Sequence, residues 1–296
     1  MTIKSEGATY TTHMVKRIMI FCNAFSIVVV SGAVSTSFFF SYYWGVNHEG
    51  LFYWLLGSSV WLIYTLDHLL DAFRLGPKAS SIRHRLHHQF RYPLIILVFF
   101  IAGFNAMEVW LNWNQFPYIR YGVVLIGLFI LYLIYVMLHH KQGKHLNFKE
   151  IWVAIFATIG MALSPVFGQE IQPDTGNFLL LAIFTLLNFL NLLTFSRFDL
   201  RQDQKDKMQS LACHLGFPKT SRWINNLLAV AFLMTVVWLF TDDWPYKITG
   251  TLALIVMINI LALINLKYVH FRKDARYRFW GDLIYLIPGL VVFLKL

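Results

Sequence analysis

Two pairs of aspartates in this sequence have the same DxxxD spacing. Asp67 and Asp71 lie in the segment YTLDHLLDAFRL, and Asp199 and Asp203 lie in the later segment FDLRQDQKDK. Residues four apart share one face of a helix, so each pair would place two carboxylates side by side. Neighbouring carboxylates repel each other unless a cation lies between them, and Mg²⁺ is a hard cation that favours oxygen ligands. The two pairs therefore predict magnesium sites.

Further charged residues surround the two pairs. Asp206 follows Asp203 by three residues, so it extends the same helix face and is another candidate metal ligand. The basic side chains near the pairs are Arg83, Arg85, Lys149, Arg201, Lys205 and Lys207. Such cations suit phosphate oxygens whose charge Mg²⁺ only partly neutralises. The residues thus indicate a diphosphate held through metal ions; the alternative is that the aspartates are helix-end charges paired with neighbouring Arg and Lys.

The composition places these segments in a membrane protein. The 296 residues are 57% hydrophobic and only 14% charged, and the mean hydropathy is +0.56. A soluble domain of this size would contain about a quarter charged residues. The formal net charge of +10 falls in loops between apolar segments. Nucleic acid is therefore excluded as a partner, and the lipid bilayer is the expected surrounding.

A helix that crosses a membrane needs about 20 mostly apolar residues. Nine segments meet this condition, so we expect an all-α, polytopic bundle that forms a single integral membrane domain over 1–296. The predicted spans are 18–40, 51–73, 93–112, 117–138, 150–168, 177–198, 223–241, 247–267 and 278–295. The aspartate pairs then lie at the ends of the second and sixth spans.

The distribution of positive charge orients these spans. Of the 25 Lys and Arg residues, only Arg120, Lys247 and Lys295 fall on the side of the odd-numbered loops. Cytoplasmic loops carry the excess of Lys and Arg, so the N-terminus and both aspartate pairs are predicted to be cytoplasmic. We expect the protein in a bacterial inner (plasma) membrane, with its active site on the cytoplasmic side.

The equivalent positions of the two pairs indicate an internal repeat. Each pair follows the second span of a group of four, so roughly 18–138 and 150–267 would form two similar units. A last helix over 278–295 would stand outside both units. Little else aligns between the two halves, so the repeat depends on the aspartate motifs.

The second motif resembles that of the UbiA superfamily of intramembrane prenyltransferases. The family's DxxxD motif continues with Thr-Leu seven residues after its second aspartate, and then with Leu-Gly. Here Ser210-Leu211 stands at that distance from Asp203, followed by Leu215-Gly216. Order and spacing agree, with serine in place of threonine.

The first motif resembles the family pattern in part. The family has NDxxDxxxD, whereas this chain reads IYTLDHLLD, with Ile63 and Tyr64 in place of the Asn and the first Asp. Lys149 in NFKEIWVA is similar to the basic start of the family's fifth span, and Arg83 lies near the first motif. A bundle of nine helices with both motifs in cytoplasmic loops also agrees with the family.

The resemblance implies a Mg²⁺-dependent transfer of an isoprenyl group from an isoprenyl diphosphate to a hydrophobic acceptor. The implied metal ligands are Asp67, Asp71, Asp199 and Asp203. Lys149 and Arg83 would be catalytic residues that stabilise the leaving diphosphate, and the isoprenyl tail would lie within the apolar bundle. Further substrate contacts are expected from Asn188, Asn191, Arg201 and Lys207; for the two asparagines, which share a helix face, the alternative is hydrogen bonding between helices.

Other functions are compatible with parts of the sequence. A transporter would explain a repeat together with intramembrane polar residues such as Asn105, Glu108 and Asp282. We expect Asp282 to pair with Arg276 or Arg278. A protein that binds a lipid diphosphate without catalysis would also use both aspartate motifs.

Histidines point to one more class. His84, His87 and His88 form HxxHH, and His140 and His145 form HxxxxH, which resemble the histidine motifs of di-iron membrane oxidases. That class needs a third such motif, and it would leave both DxxxD pairs unexplained. The histidines are better explained as loop residues near lipid headgroups or a diphosphate.

Overall fold

The computed structural model describes residues 14, 17–47, 49–141, 149–167, 174–206, 210–241 and 245–294. Every regular element within these ranges is helical, which confirms the all-α prediction for them. The α-helices are α1 (Arg17–Ala24), α2 (Ile27–Tyr43), α3 (Gly50–Leu75), α4 (Ile82–Gln89), α5 (Arg91–Leu111), α6 (Pro117–Lys141), α7 (Lys149–Phe167), α8 (Thr175–Lys205), α9 (Leu211–Leu215), α10 (Phe217–Trp238), α11 (Lys247–Leu266), α12 (Tyr268–Arg272), α13 (Arg276–Leu283) and α14 (Ile287–Leu294).

Several of these helices could cross a membrane. Five meet the requirements of length and apolar composition: α5, α8, α10, α11 and the interrupted helix Tyr268–Leu294. The helices α1 and α2 would add a sixth span with a 67° bend, at a break where Ser26 has a left-handed φ of 58°. The predicted spans over 51–73 and 117–138 lie within α3 and α6, and the span predicted over 150–168 coincides with α7 up to Phe167, the last described residue there. The chain is thus an integral membrane protein by composition and helix length, and the number of nine spans stays a prediction.

Helix α8 runs through the middle of the bundle. Asp174 caps its N-terminus by accepting a hydrogen bond from the Asn177 amide at 2.7 Å. The helix packs between α7 and α10, and fully buried side chains such as Leu180, Phe184 and Leu190 lie along it. Burial on several sides explains why its sequence is apolar for most of its length. This packing fixes the position of the second aspartate motif, which lies at the C-terminal end of α8.

The last helix, Tyr268–Leu294, which contains α13 and α14, packs closely against α2. A Cβ atom added to Gly289 would collide with the Ser35 hydroxyl, so only glycine permits this approach. The helix is interrupted between α13 and α14 by a 3₁₀ turn over Ile284–Leu286. There the hydroxyls of Ser35 and Thr36 donate to the carbonyls of Leu286 and Tyr285 at 3.0 and 3.2 Å. These bonds satisfy backbone groups that lipid could not.

Candidate functional site

The first aspartate pair lies near the C-terminal end of α3. The Asp67 side chain is 63% exposed and that of Asp71 is 21% exposed, so both carboxylates are open to a ligand. Their nearest basic neighbours are imidazoles, with His68 Nδ1 3.5 Å from Asp67 and His84 Nε2 3.6 Å from Asp71. Within the described residues, neither carboxylate forms an ion pair with Arg or Lys. Their negative charge therefore remains available for a cation.

The short helix α4 brings cationic groups to this pair. After the 3₁₀ turn Gly76–Lys78, the chain folds back and α4 packs against α3. Arg83 on α4 and Lys149 at the start of α7 are both close enough to act electrostatically on Asp67 and Asp71. Burial, and then the neighbouring Arg278, lower the pKa of Arg83 to about 10, so it stays charged at neutral pH. Its buried Nε has no hydrogen-bond partner in the described structure.

Three buried histidines lie behind the first pair. The ring centroid of His68 lies 5.1 Å from that of His87 and 6.1 Å from that of His84. Burial, and then the charge of Arg83, lower the pKa of His84 to about 4. Burial also lowers the pKa of His87, whose Nδ1 lies 3.0 Å from the Arg83 carbonyl. Both rings are therefore neutral at pH 7.

The second pair contains one carboxylate that is already engaged. Asp199 is 5% exposed, forms an ion pair with Arg278 and accepts a hydrogen bond from the Tyr277 hydroxyl. Both partners belong to α13, and the Arg278 guanidinium lies 5.2 Å from the centroid of the Phe195 ring. Because both of its oxygens have partners, Asp199 is the counter-ion of Arg278 here. Its role as a metal ligand stays a prediction.

The other aspartates of this segment face the loops. Asp203 is half-buried, and the Ser210 side chain lies close enough to act on it. Asp206 ends α8, and its Oδ1 accepts a hydrogen bond of 2.8 Å from the hydroxyl of Ser80. Ser80 lies in the loop between α3 and α4, so this bond joins the loops that follow the two motifs. The sequence places the motifs on the same side of the membrane, and the structure brings them together.

Glu150 holds the second motif loop against α7. Its Oε1 accepts hydrogen bonds from the Leu211 amide at 2.8 Å and from the Ser196 hydroxyl at 3.2 Å. The residue is 5% exposed. Because Lys149 immediately precedes it, the same contacts hold the lysine near the motif, where it acts electrostatically on Asp203. Sequence reasoning missed this role, although Glu150 is printed beside Lys149 in NFKEIWVA.

A cavity of about 530 Å³ lies between α2, α3, α5, α6, α7, α8 and the last helix. Its lining runs along α3 from Tyr64, one turn from the aspartates, to Phe52, a length of about 18 Å along the helix. Most of the wall is apolar, for example Leu56, Phe129 and Met161. The structure therefore has an apolar space that ends about one helical turn from Asp67, as the predicted isoprenyl tail would require.

The four residues predicted to contact substrate have different surroundings. Arg201 is exposed on α8, and Lys207 lies outside the described residues. Asn188 Nδ2 donates to a threonine hydroxyl of α7 at 2.9 Å, and Asn191 Nδ2 donates to Asp282 Oδ1 at 3.3 Å. Both asparagines also line the cavity. The interhelical hydrogen bonds considered as the alternative are thus present, without removing either residue from the cavity wall.

The last helix contributes more to this region than the sequence indicated. Arg278 pairs with Asp199, whereas the expectation was a pair between Arg278 or Arg276 and Asp282. That expectation was wrong because Asp282 lies deeper in the bundle, where its Oδ1 accepts the hydrogen bond from Asn191. The sequence feature that could have indicated this pair is Arg278 at the start of an apolar span. An arginine there is costly in a membrane unless it has a partner or a function.

The oxygen donors of the site fit Mg²⁺. Asp67, Asp71 and Asp203 offer carboxylates without a lysine or arginine ion pair among the described residues. In the same part of the chain, no group of three or more His, Cys, Asp and Glu is arranged to hold a metal ion by itself. Mg²⁺ seldom uses such a group, because it usually combines one or two carboxylates with water and the phosphates of a substrate.

Comparison with known proteins supports the fold. No family model matches the chain, and no curated protein matches it. Among solved structures, the chain is similar to the apo structure of a UbiA homolog from Aeropyrum pernix K1, with a TM-score of 0.57 and 14% sequence identity. The match covers 91% of this chain and 98% of that chain. The chain has a UbiA-like fold, as the motifs predicted.

Proposed function

We propose that this protein is a membrane prenyltransferase, which moves an isoprenyl group from an isoprenyl diphosphate to a hydrophobic acceptor. One observation carries the proposal: carboxylates without an Arg or Lys ion pair among the described residues and half-buried cations meet about one helical turn beyond the end of a long apolar cavity. Asp67 and Asp71 lie on α3, Asp203 on α8 and Lys149 on α7, and the lysine acts electrostatically on all three. The UbiA-like fold supports this assignment.

The aspartates would bind the diphosphate through Mg²⁺. Asp67, Asp71 and Asp203 are the ligands we assign, while Asp199 fixes Arg278 beside them. Bound Mg²⁺ would neutralise diphosphate oxygens and favour their departure. We place this chemistry on the cytoplasmic side of a plasma membrane, as the distribution of Lys and Arg indicates.

The cations would stabilise the charge that develops on the leaving group. Lys149, Arg83 and Arg278 converge on the aspartate layer, and fixed charges in a water-poor site lower the barrier for breaking the C1–O bond. The apolar cavity would hold the isoprenyl tail and exclude water from the allylic carbon. An acceptor in the same cavity then attacks that carbon.

The other candidate functions receive less support. A transporter that moves charged solutes would place its charges near the middle of the membrane, whereas these charges gather at one end of the cavity. For the di-iron oxidase, His84, His87 and His88 are part of no group of three metal-binding side chains among the described residues; the His140 side chain and His145 lie outside those residues. A protein that binds a lipid diphosphate without catalysis differs from our proposal only in product formation.

Transfer can be tested in membranes that contain the overexpressed protein and natural acceptors. Tritium-labelled geranylgeranyl diphosphate and Mg²⁺ should give a labelled lipid product that membranes without the protein do not form. Asp71→Asn and Lys149→Ala should each reduce its formation at least tenfold, since each removes a group that neutralises or holds the diphosphate. Chelation of divalent ions should have the same effect.

The double substitution His87→Ala and His88→Ala is the control. It should leave most of the transfer intact, because neither imidazole belongs to the proposed diphosphate site. The oxidase alternative predicts the reverse pattern and also requires bound iron, which elemental analysis of the purified protein would detect. The protein could bind the diphosphate tightly and yet form no labelled product with any isoprenyl chain length. That result would contradict catalysis and identify the protein as a binding protein.

A further inference from the structure

A second polar cluster lies deeper in the cavity, below the aspartate layer. It consists of Tyr64 on α3, Asn191 on α8, and Asp282 and Tyr285 on the last helix, all of which line the cavity. Tyr64 lies three residues before Asp67, which is about one turn further into the bundle. The four side chains come from three helices that are distant in sequence, so the fold itself assembles the cluster.

The cluster has unused hydrogen-bonding capacity. The Oδ1 atom of Asn191 and the hydroxyl of Tyr285 are buried and have no hydrogen-bond partner in the described structure. Asp282 Oδ1 accepts from Asn191 Nδ2 at 3.3 Å, and no hydrogen bond from the described residues reaches its Oδ2. Buried polar groups without partners are costly and need an explanation. A ligand with a hydroxyl group that enters the cavity would supply partners to Asp282 Oδ2 and to the Tyr285 hydroxyl.

The electrostatic surroundings connect this cluster with the diphosphate site. Arg278 and Arg83 act on Asp282 from the side of the aspartate layer, and Asp282 acts in turn on Tyr64 and Tyr285. Asp282 lies four residues after Arg278, so the two are one turn apart on the same helix face. The reacting carbon of a bound isoprenyl diphosphate would lie between these levels, just inside the layer of cations.

We propose that Asp282, Asn191 and Tyr285 form the acceptor subsite, and that they select a neutral apolar molecule with a hydroxyl group. This inference depends on the proposed prenyl transfer. The hydroxyl would donate to Asp282 Oδ2 and accept from the Tyr285 hydroxyl, while Asn191 holds Asp282 through its hydrogen bond to Oδ1. An acceptor with its own carboxylate would meet the charge of Asp282 in an apolar wall, and like charges in such a place repel strongly.

The geometry also assigns a role to Asp282 in the reaction. As the allylic C1–O bond breaks, its electron pair leaves with the diphosphate, and the acceptor oxygen forms the new bond to C1. The hydroxyl proton passes to Asp282 Oδ2, which acts as the base. Tyr64 occupies the place where the related motif has a carboxylate, and Asp282 on the last helix supplies a carboxylate beside it.

The probes for this subsite are 1-naphthol and its anionic counterpart 1-hydroxy-2-naphthoate. The protein is held in lipid nanodiscs with Mg²⁺ and a saturating non-hydrolysable geranylgeranyl diphosphate analogue. Dissociation constants come from the ligand dependence of the unfolding midpoint. We expect wild type to bind 1-naphthol at least tenfold more tightly than 1-hydroxy-2-naphthoate. Asp282→Asn should reduce this ratio to below about threefold, because it removes the repelling charge.

Two further variants separate the subsite from general stability. Tyr285→Phe should weaken 1-naphthol binding. It should leave the ratio between the dissociation constants of 1-hydroxy-2-naphthoate and 1-naphthol unchanged, because Asp282 is still present. Glu108→Gln makes the same carboxylate-to-amide change on α5, away from the cavity lining, and should leave both dissociation constants as in wild type. With labelled geranylgeranyl diphosphate, transfer to 1-naphthol should fall more than tenfold in Asp282→Asn.

The outcomes distinguish this inference from the proposed function. If wild type binds the diphosphate analogue but binds both naphthols equally, or binds neither, the acceptor subsite is wrong and the diphosphate site stands. The same holds if Asp282→Asn leaves the ratio unchanged. If wild type shows no Mg²⁺-dependent binding of the diphosphate analogue, both proposals are overturned.

Discussion

At the scale of single residues, Asp199 shows that a motif aspartate can serve the fold. It is buried against Arg278 and Tyr277, and removing one member of a buried ion pair costs about 3–5 kcal/mol. We expect Asp199→Asn to lower the free energy of unfolding by about 3 kcal/mol, measured as unfolding in detergent, with Glu108→Gln as the control. Unchanged stability combined with loss of Mg²⁺-dependent ligand binding would instead support the metal role predicted from the motif.

The buried histidines give a pH dependence of stability. The pKa of His84 falls from 6.5 to about 4 because of burial and then the charge of Arg83, and burial also lowers that of His87. Between pH 6.5 and about 4 the unfolded chain therefore binds more protons at these histidines than the folded chain does. The free energy of unfolding is unaffected by them above pH 6.5 and decreases as the pH falls toward 4. The double variant His84→Gln and His87→Gln should show a flatter profile between these values. The exposed His214→Gln is the control, and identical profiles for all three proteins would contradict the explanation.

At the scale of elements, long apolar helices could be predicted from the sequence and short polar ones could not. The span predicted over 177–198 lies within α8, but the helix continues through polar residues to Lys205. Asp206 caps this end and accepts a hydrogen bond from the Ser80 hydroxyl. Helix α4 was not predicted, since six of its eight residues are polar and the helix is held by contacts with α3. Those contacts bring Arg83 to the site and place the buried histidines behind it. The local sequence pattern predicts the length of an apolar helix, whereas the contact partners of polar residues depend on tertiary packing.

The approach of the last helix to α8 provides a test at the same scale. A Cβ atom added to Gly281 would lie 2.5 Å from Asn191 Oδ1 and 2.6 Å from the Phe195 ring. We expect Gly281→Ala to lower the free energy of unfolding by about 1–3 kcal/mol, because packed neighbours must move. Gly103→Ala is the matched control, since a Cβ there meets nothing within 4 Å and alanine favours the helix by about 0.5–1 kcal/mol. Equal effects of the two substitutions would contradict the close packing.

At the scale of the whole molecule, the orientation in the membrane stays a prediction from charge. The loop between α5 and α6 should face outward and the aspartate loops should face the cytoplasm. In a protein with Cys22→Ser and Cys213→Ser, Asn114→Cys should react with a membrane-impermeant maleimide added to intact cells. Arg201→Cys should react only after the cells are opened. The opposite pattern would place the active site outside and overturn the assignment.

The joining of two distant loops into one diphosphate site is the central claim. The most direct test is the unfolding midpoint of the purified protein in detergent with a non-hydrolysable geranylgeranyl diphosphate analogue, with and without Mg²⁺. A ligand at 100 times its dissociation constant stabilises a protein by about 2.7 kcal/mol. We predict a Mg²⁺-dependent rise of the midpoint in wild type and its loss in Asp203→Asn. The absence of any rise with several chain lengths, or an equal rise in Asp203→Asn, would contradict the account.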